Sequence, residues 1–300
     1  MLNSQIKDIG KIESWVLASR PKTLLAAFVP VIIGSSIAAH HNSFKPLAAA
    51  VALICSILIQ IGTNFVNDLY DFLKGKDTHE RLGPTRALAS GLISVNEMKT
   101  GVIITFALTF LLGLYLVYLG GWLILLIGIF SIIAGIAYTA GPYPLAYNGL
   151  GDIFVFVFFG LIGTVGTYYV QTGSVQMIAV WASIPVGALI TNILVINNYR
   201  DIEEDKSNGK NTLAVKLGPT FARLQYVVFM ILSYSILFVV YFTYKQSYLV
   251  FLPFLSLPIA LKLIKMIYSI KGKSLNNTLA LTAKLSFIYG ILFAAGILLW

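Results

Sequence analysis

Two groups of acidic and amide side chains have a spacing that suits metal-dependent chemistry. Asn67 and Asp71 lie four residues apart, and Asn197, Asp201 and Asp205 repeat this interval. Because residues four apart project from one face of a helix, each group predicts a column of oxygen ligands. Two carboxylates in close contact repel each other by roughly 4 kcal/mol at an effective dielectric constant near 20, and a divalent cation would relieve that repulsion.

The ligand types in these groups predict Mg²⁺ as the cofactor, with two ions, one at each group. Asp and Asn supply hard oxygen atoms, whereas zinc and iron sites draw on His and Cys. Asp71 and Asp201 are the candidate catalytic carboxylates. Asp68 and Asp77 also belong to the first group, and each either binds the metal or only lies near it.

Basic residues surround both acidic groups. Mg²⁺ commonly binds one or two carboxylates together with substrate phosphates, and basic side chains bind phosphate well. The sequence therefore predicts a diphosphate held between the two metal sites. The candidate contacts of this diphosphate are Arg20, Lys22, Lys74, Arg81, Arg86, Arg200 and Lys210. Further basic residues are interpreted as solvated charges: Lys99, Lys216, Arg223, Lys271 and Lys273.

The elements that carry these residues are predicted to be membrane-spanning helices. Of the 300 residues, 58% are hydrophobic and only 11% are charged, and a soluble domain has roughly 25% charged residues. A bilayer core needs about 20 apolar residues for each helix. The runs that meet this requirement are 24–41, 46–66, 100–119, 121–139, 150–170, 177–198, 222–243, 247–269 and 279–299. The predicted fold class is all-α, a polytopic membrane bundle of nine transmembrane helices.

The charge pattern predicts a cytoplasmic N-terminus. With that orientation, 19 of the 21 Lys and Arg residues lie in cytoplasmic segments or at adjoining helix ends, and only Lys45 and Lys245 lie elsewhere. This bias follows the positive-inside rule. The net charge of +9 is therefore interpreted as a topology signal, and no nucleic acid partner is expected. All 12 Asp and Glu residues lie on the same predicted side, which the rule does not require.

The positions of the two acidic groups predict an internal parallel repeat. Aligning Asp71 with Asp201 shifts the chain by 130 residues and also places Asn67 on Asn197. Each group then ends a helix that runs from outside to inside, the second and the sixth of the bundle. We predict a single domain over 1–300, built of two four-helix repeats and an extra last helix. Their ranges are about 20–145, about 146–270 and 279–299.

At these residues the chain resembles the UbiA-type intramembrane prenyltransferases. The resemblance covers nearly the whole length. It is most similar to the branch of bacterial 1,4-dihydroxy-2-naphthoate polyprenyltransferases of menaquinone synthesis. The segments that carry it are Arg20-Pro-Lys-Thr-Leu, Asn67-Asp-Leu-Tyr-Asp71, Lys74-Gly-Lys-Asp77-Thr, Gly83-Pro-Thr-Arg86, Ser90-Gly-Leu, Tyr138 to Asp152, Asn197-Asn-Tyr-Arg-Asp201 to Asp205, and Gly209-Lys-Asn-Thr-Leu-Ala. This chain departs from the superfamily pattern at one point. The first motif of the superfamily often contains Asp-x-x-x-Asp, whereas here position 75 is Gly and the next Asp after Asp71 is Asp77.

The resemblance implies Mg²⁺-dependent transfer of a polyprenyl group from an allylic diphosphate to an aromatic quinone precursor. For this branch, the acceptor would be 1,4-dihydroxy-2-naphthoate, CO₂ would leave, and demethylmenaquinone would form. The prenyl tail would lie in an apolar groove open to the lipid bilayer. The Tyr138 ring could stabilise an allylic cation through its quadrupole. Tyr143, Tyr147 and Asp152 are candidate contacts of the aromatic substrate, and Asp152 could instead cap its helix.

Two alternatives remain open at this point. The first is a prenyltransferase for another acceptor, such as 4-hydroxybenzoate, homogentisate or a porphyrin. The second is a cation-coupled transporter, whose ionisable residues would lie near the bilayer midplane on interrupted helices. The acids of this chain lie at predicted helix ends, which favours the enzyme. The expected location is the bacterial cell membrane, with a multi-pass topology and an active site on the cytoplasmic side.

Overall fold

The computed structural model describes residues 10–76, 82–83, 86–244 and 247–299. Within these ranges the chain forms helices joined by turns and short loops, and no described residue lies in a β-strand. This confirms the predicted all-α fold class. The helices are α1 (Lys11–Ser19), α2 (Pro21–His40), α3 (Pro46–Leu73), α4 (Val95–Ala137), α5 (Gly151–Thr172), α6 (Met177–Arg200), α7 (Ile202–Ser207), α8 (Leu213–Tyr244), α9 (Tyr248–Ser269) and α10 (Leu275–Leu298).

Eight of the described helices are long and apolar enough to cross a membrane. They are α2 to α6 and α8 to α10, and they make the chain a multi-pass membrane protein. Their apolar side chains remain exposed on the outside of the bundle, as Ile103 and Phe242 illustrate. A soluble protein would bury such residues, whereas a bilayer solvates them.

Helix α4 consists of two helical stretches that meet at Gly121. This glycine has φ 71° and ψ −162°, a conformation that residues with a side chain rarely adopt. The 43 residues of α4 would extend for about 65 Å as one straight helix, about twice the thickness of a bilayer core. The two stretches coincide with the predicted spans 100–119 and 121–139. The total of nine spans and the cytoplasmic N-terminus stay predictions.

Helix α6 lies at the centre of the bundle. It packs against α5, α8 and α10. Of its 18-residue apolar stretch, 78% is buried, the largest share among the eight helices. Helices in a bilayer associate mainly through close packing, and small residues permit that packing. Gly160 of α5 and Gly187 of α6 provide such a contact, because a Cβ atom on Gly160 would lie only 2.9 Å from the Cα of Gly187.

The last turns of α3 and α6 carry the two acidic groups. Asn67 and Asp71 lie within α3, while Asn197 is in α6 and Asp201 directly follows it. Two reciprocal hydrogen bonds hold the following loops side by side. The Lys76 ammonium donates to the carbonyl of Asn208, and the Asn208 side-chain amide donates to the carbonyl of Lys76 at 3.2 Å.

Candidate active site

A large cavity lies where α3 and α6 end. Its volume is about 700 Å³, and residues of both acidic groups line it. The lining residues from these groups are Asn67, Asp71, Asn197, Asp201 and Asp205. The structure therefore brings the two groups to one chamber, as the sequence predicts.

Asp71 is the meeting point of three segments that are far apart in the sequence. Its carboxylate is buried; it accepts hydrogen bonds from Arg86 Nη2 at 2.7 Å and from Lys210 Nζ at 3.2 Å. The Tyr147 hydroxyl donates to the same carboxylate. Lys210 also lies 4.9 Å from the centre of the Tyr147 ring. Two basic groups thus compensate the charge of this buried acid, and one hydroxyl adds a hydrogen bond.

Asp201 is paired with its neighbour Arg200 in a bidentate contact. Both residues are 5% exposed. Arg200 Nε and Nη2 donate to the two carboxylate oxygens at 2.6 Å each. Nη2 also donates to the side-chain oxygen of Asn197 at 2.9 Å, and Nη1 donates to that of Asn276. The guanidinium therefore occupies the oxygen atoms that the sequence predicts as metal ligands.

Asp205 extends the second acidic group along α7. Burial raises the pKa of this carboxyl to about 7, with Lys210 lowering it and the nearby Asp201, Glu204 and Asp71 raising it. A bound cation would favour the ionised form. The crowding of acids at this end of the cavity is the electrostatic reason to expect a divalent ion there.

The predicted aromatic and acidic contacts between Tyr138 and Asp152 divide between cavity and surface. Tyr138, Tyr147 and Asp152 line the cavity. Asp152 lies in the first turn of α5 and accepts a hydrogen bond from the Gln225 side chain at 3.2 Å. Its side chain thus faces the chamber, although it lies where a helix cap would. Tyr143 is 59% exposed and is not part of the lining.

The predicted basic contacts also divide. Arg20, Arg86, Arg200 and Lys210 line the cavity. Arg20 joins α1 to α2 with a left-handed backbone, φ 53° and ψ 67°, a conformation that is uncommon outside glycine and is often found at functional sites. Lys74 lies beside the chamber instead, where it donates to the carbonyl of Thr139 at 3.0 Å. Burial lowers the pKa of Lys74, and Asp71 partly opposes that effect.

Some predicted residues are not placed in the cavity. Asp68 is buried but does not line it. Asp77, Arg81 and the side chain of Lys22 fall outside the described part of the chain.

Several lining residues are not among the site residues that the sequence predicts. They include Asn64, Thr139, Asn198, Glu204, Lys273 and Asn276. Lys273, interpreted from sequence as a solvated charge, lies at the cavity. It precedes α10, which carries no acidic motif, so the neighbouring sequence does not indicate that Lys273 belongs to the site. Thr139 donates a hydrogen bond to the side-chain oxygen of Asn67, a contact between segments 72 residues apart.

A smaller, mostly apolar cavity adjoins the first. Its volume is about 190 Å³, and residues of α2, α3, α4 and α5 line it. The two cavities share the lining residues Ile59, Gln60, Ser131, Phe158 and Phe159. Phe158 and Phe159 belong to the π-helical stretch of α5, Phe156–Ile162, and such stretches occur often at functional sites. The polar chamber therefore continues into an apolar one.

In the described residues, no three His, Cys, Asp or Glu side chains converge into a ready-made metal site. The donor set still fits Mg²⁺, because this ion needs only one or two carboxylates and completes its shell with water and substrate phosphates. Asp71 with Asn67, and Asp201 with Asp205 and Asn197, offer such partial sets in one chamber.

Comparison with known proteins places these features in a family. The UbiA prenyltransferase family model matches residues 27–298. The 1,4-dihydroxy-2-naphthoate octaprenyltransferase of Haemophilus influenzae is 38% identical, over 96% of this chain and 97% of that protein. The Escherichia coli protein of the same name is 43% identical over 72% of each chain. A solved structure of a UbiA homolog from Archaeoglobus fulgidus bound to GPP and Mg²⁺ superposes with a TM-score of 0.70 at 18% identity, covering 94% of this chain and 99% of that one.

The membrane bundle, the charged chamber and these relatives together define a membrane-embedded polyprenyltransferase. The chain belongs to the UbiA prenyltransferase family. This confirms the resemblance seen in the sequence, and the transporter alternative is set aside.

Proposed function

We propose that this protein transfers a polyprenyl group from an allylic diphosphate to 1,4-dihydroxy-2-naphthoate, with Mg²⁺ as cofactor, and that CO₂ leaves to give the reduced, hydroquinone form of demethylmenaquinone. The observation that carries the proposal is the single chamber in which two Arg-paired aspartates adjoin an apolar cavity. The names of the relatives that are 38% and 43% identical support this acceptor. The Archaeoglobus homolog bound to GPP and Mg²⁺ supports the donor and the metal.

Asp71, Asn67, Asp201, Asp205 and Asn197 would hold the cation. When bound, Mg²⁺ supplies Lewis-acid stabilisation of the charge that develops on the diphosphate leaving group. We propose two ions, one at each of the two acidic groups.

The basic side chains of the chamber would bind the diphosphate oxygens. Arg86 and Lys210 now contact Asp71, and Arg200 contacts Asp201. A diphosphate in the chamber offers these cations a second anionic partner, and Arg can engage it through two parallel hydrogen bonds. Because Arg86 and Arg200 are buried, such contacts are stronger than they would be in solution.

The acceptor would lie near Asp152 and Tyr138. A carboxylate at this position can accept a hydrogen bond from a ring hydroxyl, which increases the electron density of the ring. The Gln225 side chain donates a hydrogen bond to Asp152 at 3.2 Å, which helps to fix the carboxylate. The Tyr138 ring would face the developing allylic cation and stabilise it through its quadrupole.

The reaction balances without an oxidant or a reductant. The allylic C–O bond breaks, and its electron pair leaves with the diphosphate. The ring carbon that bears the carboxylate then forms a bond to the allylic carbon. When CO₂ departs, the electron pair of its C–C bond returns to the ring and restores aromaticity.

The prenyl tail would occupy the apolar cavity and continue between helices towards lipid. The site would face the cytoplasm of a bacterial cell, at the ends of α3 and α6. The positive-inside bias of the loops supports this orientation.

The test is an assay of the purified protein in detergent or nanodiscs, with one polyprenyl diphosphate and a panel of aromatic acids. The expected result is Mg²⁺-dependent release of diphosphate with dihydroxynaphthoate. The product should be about 44 mass units lighter than the simple adduct, because CO₂ is lost. Product formation only with 4-hydroxybenzoate or homogentisate would contradict the proposal that dihydroxynaphthoate is the acceptor. No diphosphate release with any acceptor would overturn the proposed function.

A further inference from the structure

The first turn of α10 carries two consecutive asparagines with different surroundings. Asn276 lines the charged chamber, whereas Asn277 is exposed. The two residues share a helix and a side-chain type, so their difference lies in what each one contacts. Asn276 belongs to none of the acidic or basic groups that the sequence indicates.

Asn276 connects three segments of the chain. Its side-chain oxygen accepts a hydrogen bond from Arg200 Nη1 at the end of α6. Its side-chain amide donates to the carbonyl of Leu82, in the loop between α3 and α4, at 3.0 Å. That loop also supplies Arg86 to the chamber. One amide thus holds both the guanidinium of the second acidic group and the loop of the first.

The other contacts of Arg200 explain why this one matters. Nε and Nη2 donate to the side-chain oxygens of Asp201 and Asn197, which we propose as ligands of the cation. These oxygens cannot serve the guanidinium and a cation fully at the same time. The bond from Nη1 to Asn276 lies outside that ligand set, so it can persist when the ligands turn to a cation.

We infer that Asn276 is a positioning residue, which keeps Arg200 directed at the diphosphate when Asp201 binds the metal. This inference rests on the proposed function, since it assigns a role within the same site. Through Leu82, Asn276 also holds the loop that carries Arg86 against the chamber. Leu82 has a second anchor, because its backbone N–H donates to Glu204 at 3.4 Å.

The test compares Asn276→Ala and Asn276→Asp with the same two changes at Asn277. Asn276→Ala removes both hydrogen bonds. It should raise the KM for the polyprenyl diphosphate about tenfold, as expected for loss of a hydrogen bond to a charged group. Asn276→Asp retains the acceptor for Arg200 and should recover most of that loss. Asn277→Ala should match the wild type, and Asn277→Asp controls for the added charge.

A second readout does not depend on turnover. Stabilisation of the detergent-solubilised protein by inorganic diphosphate with Mg²⁺ should weaken in Asn276→Ala and persist in both Asn277 variants. If Asn276→Ala binds and turns over like Asn277→Ala, the inference is wrong. It is also wrong if Asn276→Ala only lowers the melting temperature, with KM and ligand stabilisation unchanged. If Asn276→Ala fails to fold, Asn276→Asp decides, because a tenfold higher KM there, absent from Asn277→Asp, would contradict the role of the acceptor oxygen.

The wild-type protein separates this inference from the proposed function. A wild type that neither releases nor binds diphosphate contradicts the function itself. A responsive wild type with an unaltered Asn276→Ala contradicts only the inference.

Discussion

At the residue scale, the two central aspartates are neutralised by basic groups of the protein itself. Arg86 and Lys210 bind Asp71, and Arg200 binds Asp201. Removing one partner of a buried ion pair costs about 3–5 kcal/mol, because the remaining charge is left uncompensated. Loss of one of these basic residues would therefore destabilise the fold, and the same residues are placed to bind an anionic ligand.

Asp201→Asn should reduce Mg²⁺-dependent diphosphate release by about 100-fold or more, because a metal ligand and its charge are lost. The amide keeps the size of the side chain and one oxygen that can accept from Arg200, but the buried guanidinium loses its charged partner, so the variant should be less stable by up to about 3–5 kcal/mol. The comparison therefore uses protein that circular dichroism shows to be folded. The rate of diphosphate release at saturating Mg²⁺ is the measurement.

Glu203→Gln is the matched control, since Glu203 lies two residues away and is exposed. We expect it to stay within about twofold of the wild type, as for surface changes generally. Equal losses in the two variants, or a normal rate in Asp201→Asn, would contradict the assigned role of Asp201.

The sequence reveals the acidic columns because an interval of four residues is local information. It does not reveal the partners of Asp71, since Tyr147 and Lys210 are 76 and 139 residues away. Asn276 and Lys273 are missed for the same reason, as helix packing alone brings them to the chamber. Tyr143 shows the converse. Its closeness in sequence to Tyr147 predicts a shared site, whereas the structure leaves Tyr143 59% exposed and outside the cavity lining.

At the element scale, close contact between α5 and α6 sets the shape of the bundle centre. Gly160 and Gly187 allow the two backbones to touch. Because α6 also carries the second acidic group at its end, any shift along this contact would move Asn197 and Asp201 relative to α3. The sequence predicts both helices but not their contact, because glycines are common throughout this chain.

Gly160→Ala should destabilise the protein by about 1–3 kcal/mol, since the added methyl group would overlap the backbone of α6. Thermal unfolding in detergent, monitored by circular dichroism, measures the change. Gly166→Ala on the same helix is the control, because its Cβ would enter open space and alanine is the better helix former. The contact argument fails if Gly160→Ala is as stable as Gly166→Ala.

Gly128→Leu should select against long donors. Gly128 lines the apolar cavity, and nothing lies within 4 Å of the position its Cβ would take. A leucine there would extend into space that we assign to the prenyl tail, and its Cβ would meet no neighbouring atom. The ratio of turnover with a long polyprenyl diphosphate to turnover with geranyl diphosphate should fall about tenfold, a steric cost near 1.4 kcal/mol. An unchanged ratio would place the tail elsewhere.

At the scale of the whole molecule, the apolar exterior and the charged chamber define a membrane enzyme with its chemistry at one end. The approximate ranges of the apolar segments could be predicted from composition, because a bilayer demands long uncharged runs. The break at Gly121 lies between the predicted spans 100–119 and 121–139, at a Gly120–Gly121 pair. The parallel repeat and the side of the membrane that each end faces stay predictions.

The predicted orientation can be measured with single cysteines. Cys55 is the only cysteine and is buried, so Cys55→Ser provides a background without accessible thiols. On this background, Lys45→Cys should react with a membrane-impermeant maleimide in intact cells, because Lys45 is exposed at the predicted outer side. Lys271→Cys, exposed at the opposite side, should react only after permeabilisation. The reverse pattern would invert the topology.

The chamber changes from charged to apolar along its length, with Phe158 and Phe159 at the boundary. A donor with an anionic head and a hydrocarbon tail fits in one orientation only, with its head in the charged part and its tail in the apolar part. Its reactive carbon, which joins head to tail, would then stop at the boundary whatever the tail length. The rate of the chemical step would not depend on how many isoprene units follow. The length of the quinone tail would then reflect the mixture of polyprenyl diphosphates that the cell produces.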